Sequence, residues 1–167
     1  HSFWVPNLHG KIDLIPGRTN TIWFQADEAG EYRGQCAEFC GIQHAKMGFV
    51  VVAEPPGAFA AWAERQREPA APPEDELARR GEEVFLSNQC ALCHMVRGTI
   101  AGGRVAPDLT RVGSRRTIAA GTLRNTRGGL AGWILDPQHI KPGSHMPPTN
   151  LAPGDLQALL AYLEGLR

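Results

Sequence analysis

The sequence lacks net charge. Its 17 Lys and Arg are matched by 17 Asp and Glu, and that balance gives no support to a nucleic-acid partner. The halves differ little: residues 1–68 carry six basic against eight acidic residues, and residues 69–167 carry eleven against nine. A long apolar run is also missing. The strongest, Phe49-Val50-Val51-Val52-Ala53, is five residues long, where a membrane-spanning helix needs about 20. There is no signal-peptide pattern, internal repeat or low-complexity tract. The chain opens on His1-Ser2-Phe3-Trp4-Val5-Pro6, with neither Met nor a processing scar. It therefore reads as a fragment whose upstream part is missing. Cysteine is scarce, with four residues in 167. An even number admits disulfides, but the neighbours argue otherwise. Cys36 and Cys40 sit beside His44 and Met47, and Cys90 and Cys93 sit beside His94. Thiols clustered with other metal ligands read as metal or cofactor sites.

The pattern along the chain changes near residue 70. Lys11–Ile15, Thr21–Gln25, Glu31–Gln35 and Phe49–Ala53 read as short strands, separated by Pro16-Gly17, Asn20 and Ala29-Gly30. Strands at this spacing predict a sandwich or small barrel. Pro56–Glu68 is Ala-rich, carries Phe59 and Trp62, and predicts a helix with proline in its first turn. The run Glu68-Pro69-Ala70-Ala71-Pro72-Pro73 is a stiff linker, with the boundary at Pro73–Glu74. Beyond it the chain reads as α with Gly- and Pro-rich loops. Helices are expected over Asp75–Ser87 (Leu77, Val84 and Phe85 on or near one face), Ser114–Leu123, Gly128–Leu135 and Asp155–Leu166. The last is amphipathic through Leu156, Leu159, Leu160 and Leu163.

The stretch Cys36-Ala37-Glu38-Phe39-Cys40-Gly41-Ile42-Gln43-His44-Ala45-Lys46-Met47 concentrates soft donors. Cys40, His44 and Met47 alone supply the thiolate, imidazole and thioether of a mononuclear blue-copper loop, which takes a second His from elsewhere. Cys36 is the extra element. Two thiolates at one site can each bridge two metals, and the second imidazole then comes from His1 or His9. Structural zinc held by the two Cys, His44 and either His1 or His9 is the bland alternative, with Met47 unused. A Cys36–Cys40 disulfide is a second one.

Cys90-Ala91-Leu92-Cys93-His94 is the attachment pattern of a c-type haem. Its thiols add to the two vinyl groups, and the adjacent His94 reaches iron from one face. The sixth ligand must come from downstream. Met146, in Lys141-Pro142-Gly143-Ser144-His145-Met146-Pro147-Pro148, is the choice, because the prolines fix an extended loop. His145 is its rival, Met95 reads as packing, and His139 as a loop or surface residue. A Met/His pair raises the reduction potential. Arg104, Arg111, Arg115 and Arg116 either pair with haem propionates or are solvated, and solvation is favoured for most. Trp133 packs on the haem edge or in the core.

These residues carry a resemblance. The run from Cys36 to Met47 resembles the dinuclear copper A loop of the cytochrome c oxidase subunit II family, and His1–Pro6 resembles the segment that supplies its first copper histidine. Lys11-Ile12-Asp13, Pro16-Gly17-Arg18 and Asn20 fit the stretch between them. Residues 75–167 resemble a class I cytochrome c. Gly81, Phe85, Tyr162 and Leu163 fit its crossing helices, and Pro107 fits the proline whose carbonyl takes a hydrogen bond from the proximal His94. Pro107–Arg115 is similar to the cytochrome fused to subunit II in caa-type oxidases.

The resemblance implies two domains. An all-β cupredoxin-like domain, partial and lacking its first strands, spans 1–68. The linker is 69–74, and an all-α class I cytochrome c domain spans 75–167. It implies two coppers bridged by Cys36 and Cys40, with His1 and His44 as terminal ligands. Met47 is then a weak ligand on one copper and the Glu38 carbonyl on the other, and the Glu38 carboxylate leans toward a magnesium shared with subunit I. Haem c is held by Cys90, Cys93, His94 and Met146. The implied function is that of the subunit through which electrons enter a haem–copper terminal oxidase, passing from haem c to copper A and on to subunit I. The donor is an upstream cytochrome or small copper protein. The implied place is the periplasmic face of a bacterial inner membrane, anchored by missing N-terminal helices. A nitric oxide reductase subunit with copper A, a copper-delivery module and a zinc domain fused to a cytochrome are the alternatives.

Overall fold

A computed structural model describes all 167 residues. The first half is held by two short antiparallel ladders. β1 (Ser2–Phe3) pairs with β2 (Ile12–Asp13), and β3 (Gly30–Gln35) pairs with β4 (Gly48–Ala53) in a register that sets Gln35 opposite Gly48. The ladders remain separate two-stranded sheets. Few residues of this half are buried: Ser2, Val5, Gly34 and Cys36. Its aromatic contacts run through Phe3, whose ring stacks on Phe49 at 4.9 Å and on Phe24 at 6.0 Å. The strand expected over Thr21–Gln25 does not form. No neighbouring strand pairs with that segment, and Trp23 is 85% exposed. A strand exists only where a partner receives its backbone hydrogen bonds, and an apolar run cannot supply one. α1 (Pro56–Arg65) follows, opened by Pro56 and burying none of its residues.

The second half contains the main hydrophobic core, a cluster of 13 buried residues running from Val84 to Leu166. α2 (Glu76–Ser87) is capped by the Asp75 carboxylate, which accepts from the Ala78 N–H at 2.7 Å. It buries Ala78, Gly81, Val84 and Phe85, while Leu77 points outward at 46% exposed. α6 (Pro153–Gly165) buries Ala158, Leu159, Leu160, Tyr162 and Leu163. The two helices meet at Gly81, where an added Cβ would lie 2.0 Å from the Ala158 carbonyl oxygen. Phe85 and Tyr162 meet beside this contact with ring centroids 5.8 Å apart, and Arg80 pairs with Asp155 at 2.6 Å on the rim.

Between these helices lie α3 (Cys90–Cys93), α4 (Arg127–Leu135, capped by Thr126) and α5 (Pro137–Ile140). The helix expected over Ser114–Leu123 is replaced by a single 3₁₀ turn at Val112–Ser114 and a two-residue ladder, β5 (Thr117–Ile118) with β6 (Leu123–Arg124). Ala119, Ala120 and Gly121 all have positive φ at the tip. Asn125 Nδ2 donates to the Val112 and Arg115 carbonyls at 2.7 Å each. The Arg115 carbonyl is taken by this side chain, and the β-branched pair Thr117-Ile118 favours the extended backbone. No helix is long and apolar enough to cross a membrane.

Gly81→Ala tests the helix crossing by the sign of its effect. At an ordinary helix position this change stabilises by about 1 kcal/mol. Here the contact with Ala158 reverses the sign, and thermal unfolding followed by circular dichroism is expected to show a lower Tm. An unchanged or higher Tm contradicts the close approach.

Candidate metal and haem centres

The register of β3 and β4 builds the first site. It brings the two ends of the loop 36–47 side by side, and the Cys36 N–H donates to the Met47 carbonyl at 3.1 Å. Gln35 Nε2 donates to the His44 carbonyl at 2.9 Å, and Gly41, at φ 110°, turns the chain between Cys40 and His44. The N-terminal segment is laid alongside by the bond from Ala37 N–H to Ser2 O at 3.2 Å. These bonds gather six donors. Cys36 Sγ and Cys40 Sγ are 3.8 Å apart. On one flank, His1 Nδ1 lies 3.8 Å and the Glu38 carbonyl oxygen 3.2 Å from Cys36 Sγ. On the other, His44 Nδ1 lies 3.6 Å and Met47 Sδ 3.9 Å from Cys40 Sγ. Each sulfur therefore has its own imidazole and its own weak donor. His9 is exposed and outside the cluster of His1, Cys36 and Cys40.

The donors fit a metal. A disulfide needs its sulfurs about 2.04 Å apart, and these are separate free thiols. With metal–thiolate bonds of about 2.3 Å, a 3.8 Å sulfur separation gives an angle of about 110° at the metal, close to tetrahedral. Burial pushes the Cys36 thiol up, but hydrogen bonding around Ser2, Glu38, His44 and Cys40 outweighs it and brings the pKa to about 7. Burial and the neighbouring Cys36 sulfur raise Cys40. One sulfur of the pair is thus poised to ionise near neutrality, and thiolate is the ligand form. The Glu38 carboxylate is held by the Lys11 ammonium, which also pairs with Asp13 at 2.7 Å. Lys11 is a feature of the site that the motif did not single out.

The second site is built on α3. Cys90 and Cys93, three apart on one turn, lie on the same face. His94 leaves the helix with an extended backbone, and its Nδ1 lies 2.8 Å from the Pro107 carbonyl. A carbonyl only accepts, so Nδ1 carries the proton and Nε2 is left free for iron. This is the contact expected from the resemblance. Gly103 backs the turn: an added Cβ would come within 2.4 Å of the Cys93 carbonyl carbon. Ala106 N–H to Cys93 O at 3.0 Å and Leu109 N–H to Met95 O at 2.8 Å hold the Pro107 segment beside it. Met146 is half-buried and packs, like Cys90 and Trp133, on the core cluster. Its loop is held by Gln138 Nε2, which donates to Ser144 O at 2.5 Å and Met146 O at 3.1 Å. His145 and His139 are exposed, and Met95 is half-buried beside His94. Thiols, a free imidazole nitrogen and a downstream thioether at the edge of an apolar core fit a covalently attached haem.

Three of the four arginines, Arg104, Arg115 and Arg116, are exposed as expected, and Arg111 departs from the expectation of solvation. Arg104 is exposed, and Arg116 pairs with Glu31 at the surface. The Arg111 side chain is only 12% exposed and binds the carbonyls of Arg65, Glu68 and Pro69. Arg115 donates to the Asp108 carbonyl. Backbone carbonyls left over at the end of α1 and along the linker capture Arg111, something no local motif announces.

Asp108 offers a pH test. Burial pushes its carboxyl up, but the Thr110 hydroxyl and N–H, at 2.5 and 2.7 Å, and the charges of Arg97 and Arg115 carry it below its ordinary value. Its folded pKa is therefore below its unfolded one. Its stabilisation is present above about pH 4, the unfolded value, and is lost as pH falls through the folded pKa. Asp108→Asn is expected to lower Tm at pH 7 and to flatten the decline of Tm below pH 4. Parallel curves for the two proteins contradict this assignment.

Comparison with known proteins gives a family match for each half. Residues 1–54 match the family model described as cytochrome c oxidase subunit II, periplasmic domain, and residues 78–167 match cytochrome c. Cytochrome c oxidase subunit 2 of Alkalihalophilus pseudofirmus is 44% identical over 168 residues, covering 100% of this chain and 48% of that protein. The Bacillus subtilis protein of the same name is 35% identical over 178 residues, covering 100% and 50%. The Cereibacter sphaeroides protein of the same name is 45% identical over 67 residues, covering 40% of this chain and 22% of that protein. The chain spans about half the length of the curated relatives that match it from end to end. It belongs to the cytochrome c family through residues 78–167, and residues 1–54 match the family model described as cytochrome c oxidase subunit II, periplasmic domain.

Proposed function

We propose that this chain is the part of a caa-type terminal oxidase through which electrons enter the complex. The observation that carries the reading is the pair of sulfurs 3.8 Å apart, each with one imidazole and one weak donor, in the same chain as a Cys-x-x-Cys-His turn. Cys36 and Cys40 would bridge two coppers, with His1 and the Glu38 carbonyl on one and His44 and Met47 on the other. This donor set favours copper over zinc, since zinc leaves a thioether and a carbonyl unused. Cys90 and Cys93 would anchor haem c, with His94 and Met146 as axial ligands. Bound in these positions, the two groups would supply one-electron redox chemistry. The chain's own part is to fix the donors. The Pro107 carbonyl orients His94, Gln138 holds the Met146 loop, and the Cys36–Met47 bond closes the thiolate loop.

The bounds we assign are 1–68 for a cupredoxin-like domain, 69–74 for the linker and 75–167 for the cytochrome domain. Oxygen reduction belongs to subunit I, which receives the electron from the copper pair. The relatives' name, cytochrome c oxidase subunit 2, favours oxygen over nitric oxide as terminal acceptor. The donor is a cytochrome or small copper protein on the extracytoplasmic side of a membrane. Magnesium at Glu38 would have to displace the Lys11 ammonium that holds this carboxylate, and would take further ligands from a partner and water.

Two substitutions test the assignment in the full-length protein. Cys40→Ser is expected to abolish the EPR signal of an electron shared by two coppers while leaving haem absorbance intact. A surviving signal rejects the bridging role. Met146→Ala is expected to keep haem attached through Cys90 and Cys93, open the sixth position and lower the potential. An unchanged low-spin spectrum and potential assign the ligand elsewhere. Metal analysis giving zinc, or a single copper, overturns the reading of the first half.

A further inference from the structure

The two halves of the chain touch at the loops that carry the metal donors. The N–H of Gly48, next to Met47, donates to the Ala120 carbonyl at 3.1 Å. Lys46 Nζ donates to the Ile140 carbonyl at 2.5 Å, and the Gln43 carboxamide donates to the Pro142 carbonyl. Ile42 lies against Gly143, where an added Cβ would come within 2.7 Å of its methyl group. Arg116 pairs with Glu31 beside these contacts. The acceptors lie on two loops of the cytochrome half. One is the hairpin tip, where Ala119 and Ala120 have φ values of 53° and 55°, a conformation that residues with a Cβ rarely adopt. Such a backbone persists where its surroundings over-determine it, and here the tip meets Gly48. The other is the turn after α5, six residues before Met146. Burial, and then the charge of Lys46, lower the pKa of Lys141, which also marks how close the loops are.

We propose that Gln43, Lys46 and Gly48 form a latch that fastens the thiolate loop to the Met146 loop and the hairpin tip, fixing the orientation in which an electron crosses within the chain. This rests on the electron path proposed above, in which the ferrous haem becomes ferric and the oxidised copper pair gains that one electron. A tether alone raises local concentration. The latch adds a defined approach, because its anchors sit one residue from Met47 and six from Met146. Gln43 and Lys46 supply no donor atom to either centre and act as positioning residues.

The test uses the full-length, metal-loaded complex carrying Gln43→Leu with Lys46→Met. Copper EPR and haem absorbance are expected to keep their wild-type form. Flash-induced transfer from haem to copper is expected to slow about tenfold, the factor that two lost hydrogen bonds are worth in docking. Relaxation of the copper signal by ferric haem is expected to weaken, and amide exchange over residues 141–144, in the other half of the chain, to quicken. Lys46→Arg, which keeps a donor, is expected to stay near the wild-type rate. Unchanged transfer, relaxation and exchange in the double variant overturn the latch. A wild-type protein without haem-to-copper transfer defeats the electron path instead, and the exchange measurement still decides the latch. If the double variant disturbs the copper signal, Glu31→Arg breaks the pair with Arg116 away from the thiolates, and the same readings decide.

Discussion

The hydrogen bond from the Cys36 amide to the Met47 carbonyl closes the loop on which the first site depends. It is the continuation of the β3–β4 ladder, one step beyond the Gln35–Gly48 pair. Through it, the Cys36 sulfur, the His44 imidazole and the Met47 thioether all come within 4 Å of the Cys40 sulfur. The first half buries only Ser2, Val5, Gly34 and Cys36, so no large apolar core imposes the geometry. Backbone hydrogen bonds do so: the ladder, the Gln35–His44 bond and the Ala37–Ser2 bond that delivers His1.

The second half solves the same positioning problem by packing. α2 and α6 approach until only glycine fits at position 81, and Phe85 and Tyr162 seal the crossing. On this core rest the Cys90–Cys93 turn and, from the far end of the chain, the Met146 loop. Buried apolar area is undirected, so the final aim of His94 is set by a directed contact, the bond to Pro107. Polar side chains that span distant backbone do the rest. Arg111 binds the end of α1 and the linker, and Asn125 pins the turn at 112–115. The two candidate sites thus rest on different physics, one on backbone pairing and one on a core, and their halves meet through loop-to-loop hydrogen bonds, the Ile42–Gly143 contact and the Glu31–Arg116 pair.

Much of this was legible in the sequence. The proline in the first turn of α1 and the apolar spacing of the terminal helix are local signals, and those helices follow them. The donor residues were legible as well, because metal chemistry restricts residue type and spacing. The failures share a cause. Thr21–Gln25 has the composition of a strand but no partner, and Ser114–Leu123, expected as a helix, gives its Arg115 carbonyl to Asn125 and turns into a hairpin. Leu77 belongs to the helical stripe yet faces outward, because the crossing with α6 selects the face centred on Gly81. Arg111 looked solvated and is instead the clasp of the linker.

The sequence by itself determined which atoms can bind metal and haem, the order of the two sites along the chain, and most of the helices. These follow from residue chemistry and from interactions within a few residues. Only the tertiary structure decided which face of α2 is buried, which carbonyls capture Arg111, and which loops of the two halves touch. Those outcomes depend on ladder register and helix approach, where hydrogen-bond partners lie tens of residues apart and no local pattern encodes them.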